Sequence, residues 1–180
     1  MKKLLVLAKF YLLFLVCGVI AFSCCLEPTQ VSIIGDGNIS FISTADTQLG
    51  TTDTISSADF TVFANFELLY VEHSVDLNIL PMAYSTSCEE EFQNSFMMNT
   101  FAITNSRGFE YNGTTFSAGQ NFADIDALTA IFGEGDISIR FTPEFNNNVS
   151  FTNGANEFTI SVTTTDGLNL ESTGSVVFDY

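Results

Sequence analysis

The chain has 180 residues, 46% of them hydrophobic, and a formal net charge of −16 at pH 7. That content suits one compact domain and is too apolar for a disordered chain. All three lysines lie at positions 2, 3 and 9, which leaves Arg107, Arg140 and His73 as the remaining basic side chains against 21 acidic ones. Phosphate backbones are bound by Lys and Arg that displace counterions, so the composition excludes nucleic acid as a partner and leaves no basic patch for an anionic lipid surface.

The amino-terminal stretch is an export signal by pattern. Lys2, Lys3 and Lys9 precede an uncharged run over residues 10–22, which ends in Ala21, Phe22, Ser23, Cys24 and Cys25. A basic start, a short apolar run and small residues before a break are the marks of a cleaved leader. The clean run falls short of the about 20 apolar residues that a membrane-crossing helix needs. The expected organisation is a signal over residues 1–23, a tether over 24–30 and a single domain over 31–180.

Ala21-Phe22-Ser23-Cys24 resembles the lipobox of bacterial lipoprotein signals, in which small or aliphatic residues precede an obligatory cysteine. The resemblance implies a diacylglycerol thioether on Cys24, cleavage before it, and acylation of the new amine with a fatty acid such as palmitate. Cys25 is the alternative acceptor. One acyl chain gives only marginal anchoring, whereas two or more hold stably, at about 0.8 kcal/mol per buried methylene. If Cys24 is acylated, Cys25 and Cys88 remain. They either pair as a disulfide in an oxidising compartment or leave Cys88 as a buried apolar residue.

Beyond the tether the chain reads as strands. Ile33, Ile39 and Phe41 suggest an opening strand interrupted at Gly35, Asp36 and Gly37. Phe60, Val62, Ala64, Phe66, Leu68 and Tyr70 are apolar at every second position, the period of a half-buried strand. The same alternation recurs at Val75, Leu77 and Ile79, at Ile137, Ile139 and Phe141, and at Phe158, Ile160 and Val162. Asp166-Gly167 and Asn112-Gly113 stand between apolar runs as hairpin turns with positive φ at both residues.

Two helical segments are expected. Ser87 with Glu90 forms a capping box at the start of a short turn. Asn121 caps a longer segment with Phe122, Ile125, Leu128 and Ile131 at helical spacing, closed by Gly133. The fold class expected is mainly β: an antiparallel β-sandwich with one or two short helices.

Catalytic patterns are scarce. His73 is the single histidine, no Gly-x-Ser-x-Gly elbow accompanies it, and a strand-end histidine is its simplest reading. Carboxylates abound, so a glycosidase-type pair is conceivable without any pair standing out. No zinc spacing occurs. No cofactor is expected. Calcium is the one ion for which oxygen ligands are grouped near turns, at Asp36-Gly37-Asn38, at Asp124 and Asp126, and at Glu134-Gly135-Asp136. Asn38-Ile39-Ser40, Asn112-Gly113-Thr114 and Asn148-Val149-Ser150 match the glycosylation acceptor pattern, expected by chance in so Asn- and Thr-rich a chain.

The Cys-Cys start, the Phe-, Asn- and Thr-rich strands, Ala83-Tyr84-Ser85-Thr86-Ser87-Cys88, Ile103-Thr104-Asn105-Ser106 and Ser117-Ala118-Gly119-Gln120-Asn121-Phe122 together resemble small Bacteroidota lipoproteins of unknown function. The resemblance implies an outer-membrane lipoprotein and carries over no catalytic residue. The functional expectation is a lipid-anchored envelope protein that binds a glycan, peptide or protein, or serves a structural role, without catalysis. The alternatives are an envelope hydrolase and a pilus-like subunit that exchanges edge strands, visible as a sheet edge open at Val176, Val177 and Phe178.

Overall fold

The computed structural model describes residues 9, 11–13, 29–43, 48–50, 53–55, 60–71 and 90–179. Lys9 and residues 11–13, inside the expected leader, are helical. Among the described residues no helix is long and apolar enough to cross a membrane. Cys24, Cys25, Cys88, His73 and the expected strand at Val75, Leu77 and Ile79 lie outside the described residues.

Contacts divide the chain into two units, Met1–Val31 with Tyr70–Gln93, and Ser32–Leu69 with Asn94–Tyr180. In the first unit the opening residues of β1 (Thr29–Ser43) pair in parallel with β5 (Glu90–Phe92), Thr29 with Glu90 through Val31 with Phe92. The Gln93 N–H extends this pairing by donating to the Val31 carbonyl at 2.8 Å. Glu90, expected in a helical capping box with Ser87, therefore stands in a strand, and Ser87 lies outside the described residues.

The second unit holds the rest of β1 and two very short strands, β2 (Gln48–Leu49) and β3 (Thr54–Ile55). Next come β4 (Phe60–Val71), whose last two residues fall in the first unit, β6 (Phe96–Asn105), β7 (Phe109–Tyr111), β8 (Thr114–Phe116), β9 (Leu128–Phe132) and β10 (Asp136–Phe141). A short helix, α1 (Pro143–Asn148), precedes β11 (Val149–Phe151), β12 (Gly154–Thr164) and β13 (Asn169–Phe178). The main sheet runs in the order β6-β12-β13-β1-β4-β10-β9, and a small sheet runs β11-β7-β8.

The fold is mainly β, as the alternation implies, but the main sheet is mixed and not wholly antiparallel. β1 runs parallel to β13, with Gly37 opposite Ser172 and Asn38 opposite Thr173, and β3 also runs parallel to β13. Alternation says which face a residue takes; it carries no information on the direction of the neighbouring strand. Val177 and Phe178 pair with β12 on one side and β3 on the other, so the register leaves no open edge at these two residues.

The glycines near Asp36 do not interrupt β1. The strand is continuous, and a Cβ on Gly37 would fall 1.6 Å from the Asn65 carbonyl oxygen. Glycine here lets two backbones approach where β1 passes from β4 toward β13. The Gly37 N–H donates to the Ser172 hydroxyl at 3.2 Å.

The helix expected from Asn121 to Gly133 is replaced by turns and a strand. Ile125 N–H bonds to the Phe122 carbonyl and Leu128 N–H to the Ile125 carbonyl, successive three-residue turns that reproduce the i, i+3 apolar spacing. From Leu128 the backbone is extended and pairs antiparallel with β10, Phe132 opposite Ile137. Tertiary pairing overrides a helical spacing too short to nucleate on its own. The helix that does form, α1, follows Thr142, whose hydroxyl accepts from Phe145 N–H at 3.3 Å, with a proline at its start and Glu144 in its first turn. Those are ordinary start signals, with an N-cap hydroxyl, a preset φ and an acid near the positive helix end.

Both hairpins form. Asn112 (φ 50°) and Gly113 (φ 74°) make the two-residue turn between Tyr111 and Thr114 with both φ positive, as expected. At the second, only Gly167 has positive φ (89°). Gly167 N–H bonds to the Thr164 carbonyl and Thr164 N–H to the Leu168 carbonyl, giving a longer loop than the two-residue one expected. This is the three-residue hairpin, in which a turn is followed by a single left-handed residue.

The core of the second unit is built on phenylalanine. Phe158 is fully buried and its ring meets those of Phe41, Phe60, Phe122, Phe151 and Phe178. Phe145 of α1 stacks on Phe141 with centroids 4.7 Å apart. At the two ends of the strand path, Phe101 of β6 and Phe132 of β9 meet edge to face at 5.5 Å. The sheet thus curls until its end strands touch through their side chains.

Candidate ligand-contact site

The outward face of β12 and β13 carries polar residues between the buried ones: Ser161 and Thr163 on β12, directly opposite Glu171 and Asn169 on β13. Period-two alternation alone puts them there. The neighbouring strand then breaks the ladder. Ser161 pairs with Ala102 of β6, yet Thr163 pairs with Met97, so Met98, Asn99, Thr100 and Phe101 oppose Val162 alone. Such bulges re-aim side chains and bend the strand. Here Thr100 is turned back: its hydroxyl donates to the Met97 carbonyl at 2.7 Å and accepts the Thr163 N–H at 2.8 Å, standing in for the missing ladder bond.

The result is an open depression of about 320 Å³ lined by Asp36, Thr100, Ser161, Thr163, Asn169 and Glu171, with Val162 and Leu170 between them along the strands. Asp36 reaches it from β1, held by the Glu171 N–H, which donates to Asp36 Oδ1 at 2.6 Å. Thr163 Oγ1 donates to Asn169 Oδ1 at 2.9 Å. Two carboxylates therefore face the depression with no cationic side chain in its lining. An arrangement so rich in acceptors can hold hydrogen-bond donors or a positive group.

Beside it, the hairpin end of β12 is locked by a polar network. Asn94 accepts the Ile33 N–H at 2.8 Å, donates to the Ile33 carbonyl at 2.9 Å and donates to Asp166 Oδ2 at 3.1 Å. The Thr164 hydroxyl donates to the other Asp166 oxygen. These bonds, from Thr164 first and Asn94 second, hold the Asp166 carboxyl below its ordinary value of 3.8. A hydrogen-bonded carboxylate kept ionised has the opposite tuning from a general acid.

Of the residues singled out in the sequence, Asp36 enters this depression and the other calcium candidates do not. Asp124 and Asp126 lie exposed in the turns before β9, and Glu134 and Asp136 belong to the β9–β10 hairpin. Among the described residues no group of three or more His, Cys, Asp or Glu side chains could hold a metal ion. Thr100, Ser161, Thr163, Asn169 and Glu171 carry no sequence signal beyond strand alternation, because the bulge that gathers them depends on the register of two separate strands.

No family model matches the chain, and no curated protein matches it. Among solved structures it is similar to the C-terminal domain of the Streptococcus pyogenes antigen I/II-family protein AspA, at 9% identity and TM-score 0.28, over 79% of this chain and 46% of that one. The chain thus spans about half the length of that structure. It is also similar to a titin immunoglobulin tandem, at 8% identity and TM-score 0.23, over 86% and 95% of the two chains. Likenesses this slight bear no weight, and the strand order carries the fold argument.

Proposed function

We propose that the protein is a noncatalytic binding module of the cell envelope, anchored by acyl chains on Cys24 and built on an immunoglobulin-like sandwich. The strand order supports the sandwich. β6, β12 and β13 stand in the order of the C, F and G strands, and β1, β4, β10 and β9 in the order of A, B, E and D. β1 joins the two groups, which accounts for its parallel pairing with the last strand.

The observation that carries the binding role is the depression at the β6 bulge, with Asp36 and Glu171 facing it and no cation in its lining. Its ligand is a donor-rich chain, a basic peptide segment or the hydroxyls of a glycan. Calorimetric titration of the full chain in detergent, with a Lys- and Arg-rich peptide and separately with a neutral oligosaccharide, tests this. Binding of either that is weakened at least tenfold by Asp36→Asn with Glu171→Gln supports the site; silence with both overturns it.

Anchoring has its own test. Double replacement of Cys24 and Cys25 by Ala should leave the protein in the aqueous phase of a detergent partition. A variant that is still cleaved and membrane-bound would remove the lipid from the proposal.

A further inference from the structure

Two amide side chains sit inside the Phe-rich core with one hydrogen-bonding end each left over. Asn105 of β6 and Asn156 of β12 both point inward and are buried. Asn105 Oδ1 accepts the Arg107 N–H at 2.8 Å, which fixes the amide's orientation and sends Nδ2 into the core. Asn156 Nδ2 donates to the Thr152 carbonyl at 2.7 Å and the Gly154 carbonyl at 2.9 Å, which fixes the second amide the other way round. Neither Asn105 Nδ2 nor Asn156 Oδ1 has a hydrogen-bond partner. One is a donor and the other an acceptor, and neither amide can be flipped without giving up backbone bonds.

The register places them near each other. Asn105 pairs with Phe158, and Asn156 lies two residues before Phe158 on the same inward face. Such diagonal neighbours stand roughly 7–8 Å apart at the backbone, within reach of long side chains. One oxygen making two hydrogen bonds of about 2.8 Å spans up to roughly 5.5 Å. Buried polar groups left without a direct partner are commonly joined by an ordered water, conserved in place because its removal leaves both groups unsatisfied.

We infer that a single structural water binds between Asn105 and Asn156, accepting from Nδ2 of the first and donating to Oδ1 of the second. It ties β6 to β12 at the end of the ladder remote from the β6 bulge, where Ser106 N–H and the Glu157 carbonyl close the pairing at 2.8 Å. The site takes water because the two groups require one acceptor and one donor on the same small molecule, and a cation would face the Asn105 N–H bonds.

The test uses the unaltered full chain. A crystal structure at atomic resolution should place a well-ordered oxygen within hydrogen-bond distance of both atoms. In solution, the Asn105 side-chain amide protons should show a cross-relaxation signal to water, of the sign given by a water that tumbles with the protein. A direct Asn105-to-Asn156 hydrogen bond in the crystal, or side-chain protons with no contact to water, would overturn the site.

Discussion

β12 is one strand with two kinds of support. From Phe158 to Val162 its inward side chains are aliphatic or aromatic and meet rings from several strands. From Thr163 to the hairpin it is held by hydroxyls, an amide and a carboxylate. The first half relies on contact that is non-directional and roughly proportional to buried area. The second relies on a few bonds whose geometry must be right, each modest in net effect but costly to leave half made. The two halves should therefore fail in different ways: the ring half by loss of global stability, the polar half by local opening and by sensitivity to acid.

The largest effect belongs to the ring half. Phe158→Ala removes a fully buried ring that meets five others. Truncations of this kind cost about 3–5 kcal/mol through lost transfer energy and the residual cavity. Urea unfolding should show the midpoint falling, with the slope unchanged, by that cost divided by the slope. A loss below about 1 kcal/mol would mean that the ring half of β12 does not set the stability of the domain, since core substitutions this large are diagnostic of where the packing lies.

Asn94 tests the polar half. Asn94→Ala strips side-chain partners from both the N–H and the carbonyl of Ile33, and one partner from Asp166. Ile33 is itself buried, so those backbone groups lose their bonds in the interior. The cost should be about 2 kcal/mol. Hydrogen exchange sharpens the point: the Ile33 amide should lose protection while the Ile160 amide, in the ring half, keeps it. Equal loss at both positions would merge the two halves into one cooperative unit.

These same halves differ in how far the sequence reveals them. The ring half is legible because Phe158, Ile160 and Val162 alternate with polar residues, as do the core positions of β4 and β10. Turn chemistry is legible where one residue type fits one conformation, as at Asn112 and Gly113. What stays hidden depends on which strand lies alongside. The parallel partner of β1, the bulge in β6 and the depression it opens are properties of register, which alternation does not encode. Residues 121–132 show the same limit from another side, since apolar spacing of three fits a helix or successive turns equally, and pairing with β10 decides. Thr142, Pro143 and Glu144 carry the chemistry of a helix start, but the helix they open is six residues long, too short to leave an apolar period in the sequence.

The smallest effect is the most specific to the polar half. Asp166 has its carboxyl lowered below the ordinary 3.8 by hydrogen bonds from Thr164 and Asn94. A group with a depressed folded-state value contributes stability that is fully present above its unfolded value and is lost as pH falls through the folded one. The window therefore opens at 3.8 and extends downward. Melting temperature followed from neutral pH into that range should fall faster for the native protein than for Asp166→Asn, whose amide does not titrate there. The gap between the two should close as the acid limit is reached, because protonated Asp and Asn then offer similar bonds to Thr164. Parallel curves across the whole range would show that the carboxylate is not coupled to folding. The polar half would then rest on Asn94 and the threonine hydroxyls alone, and the two halves of β12 would no longer be distinguished by acid.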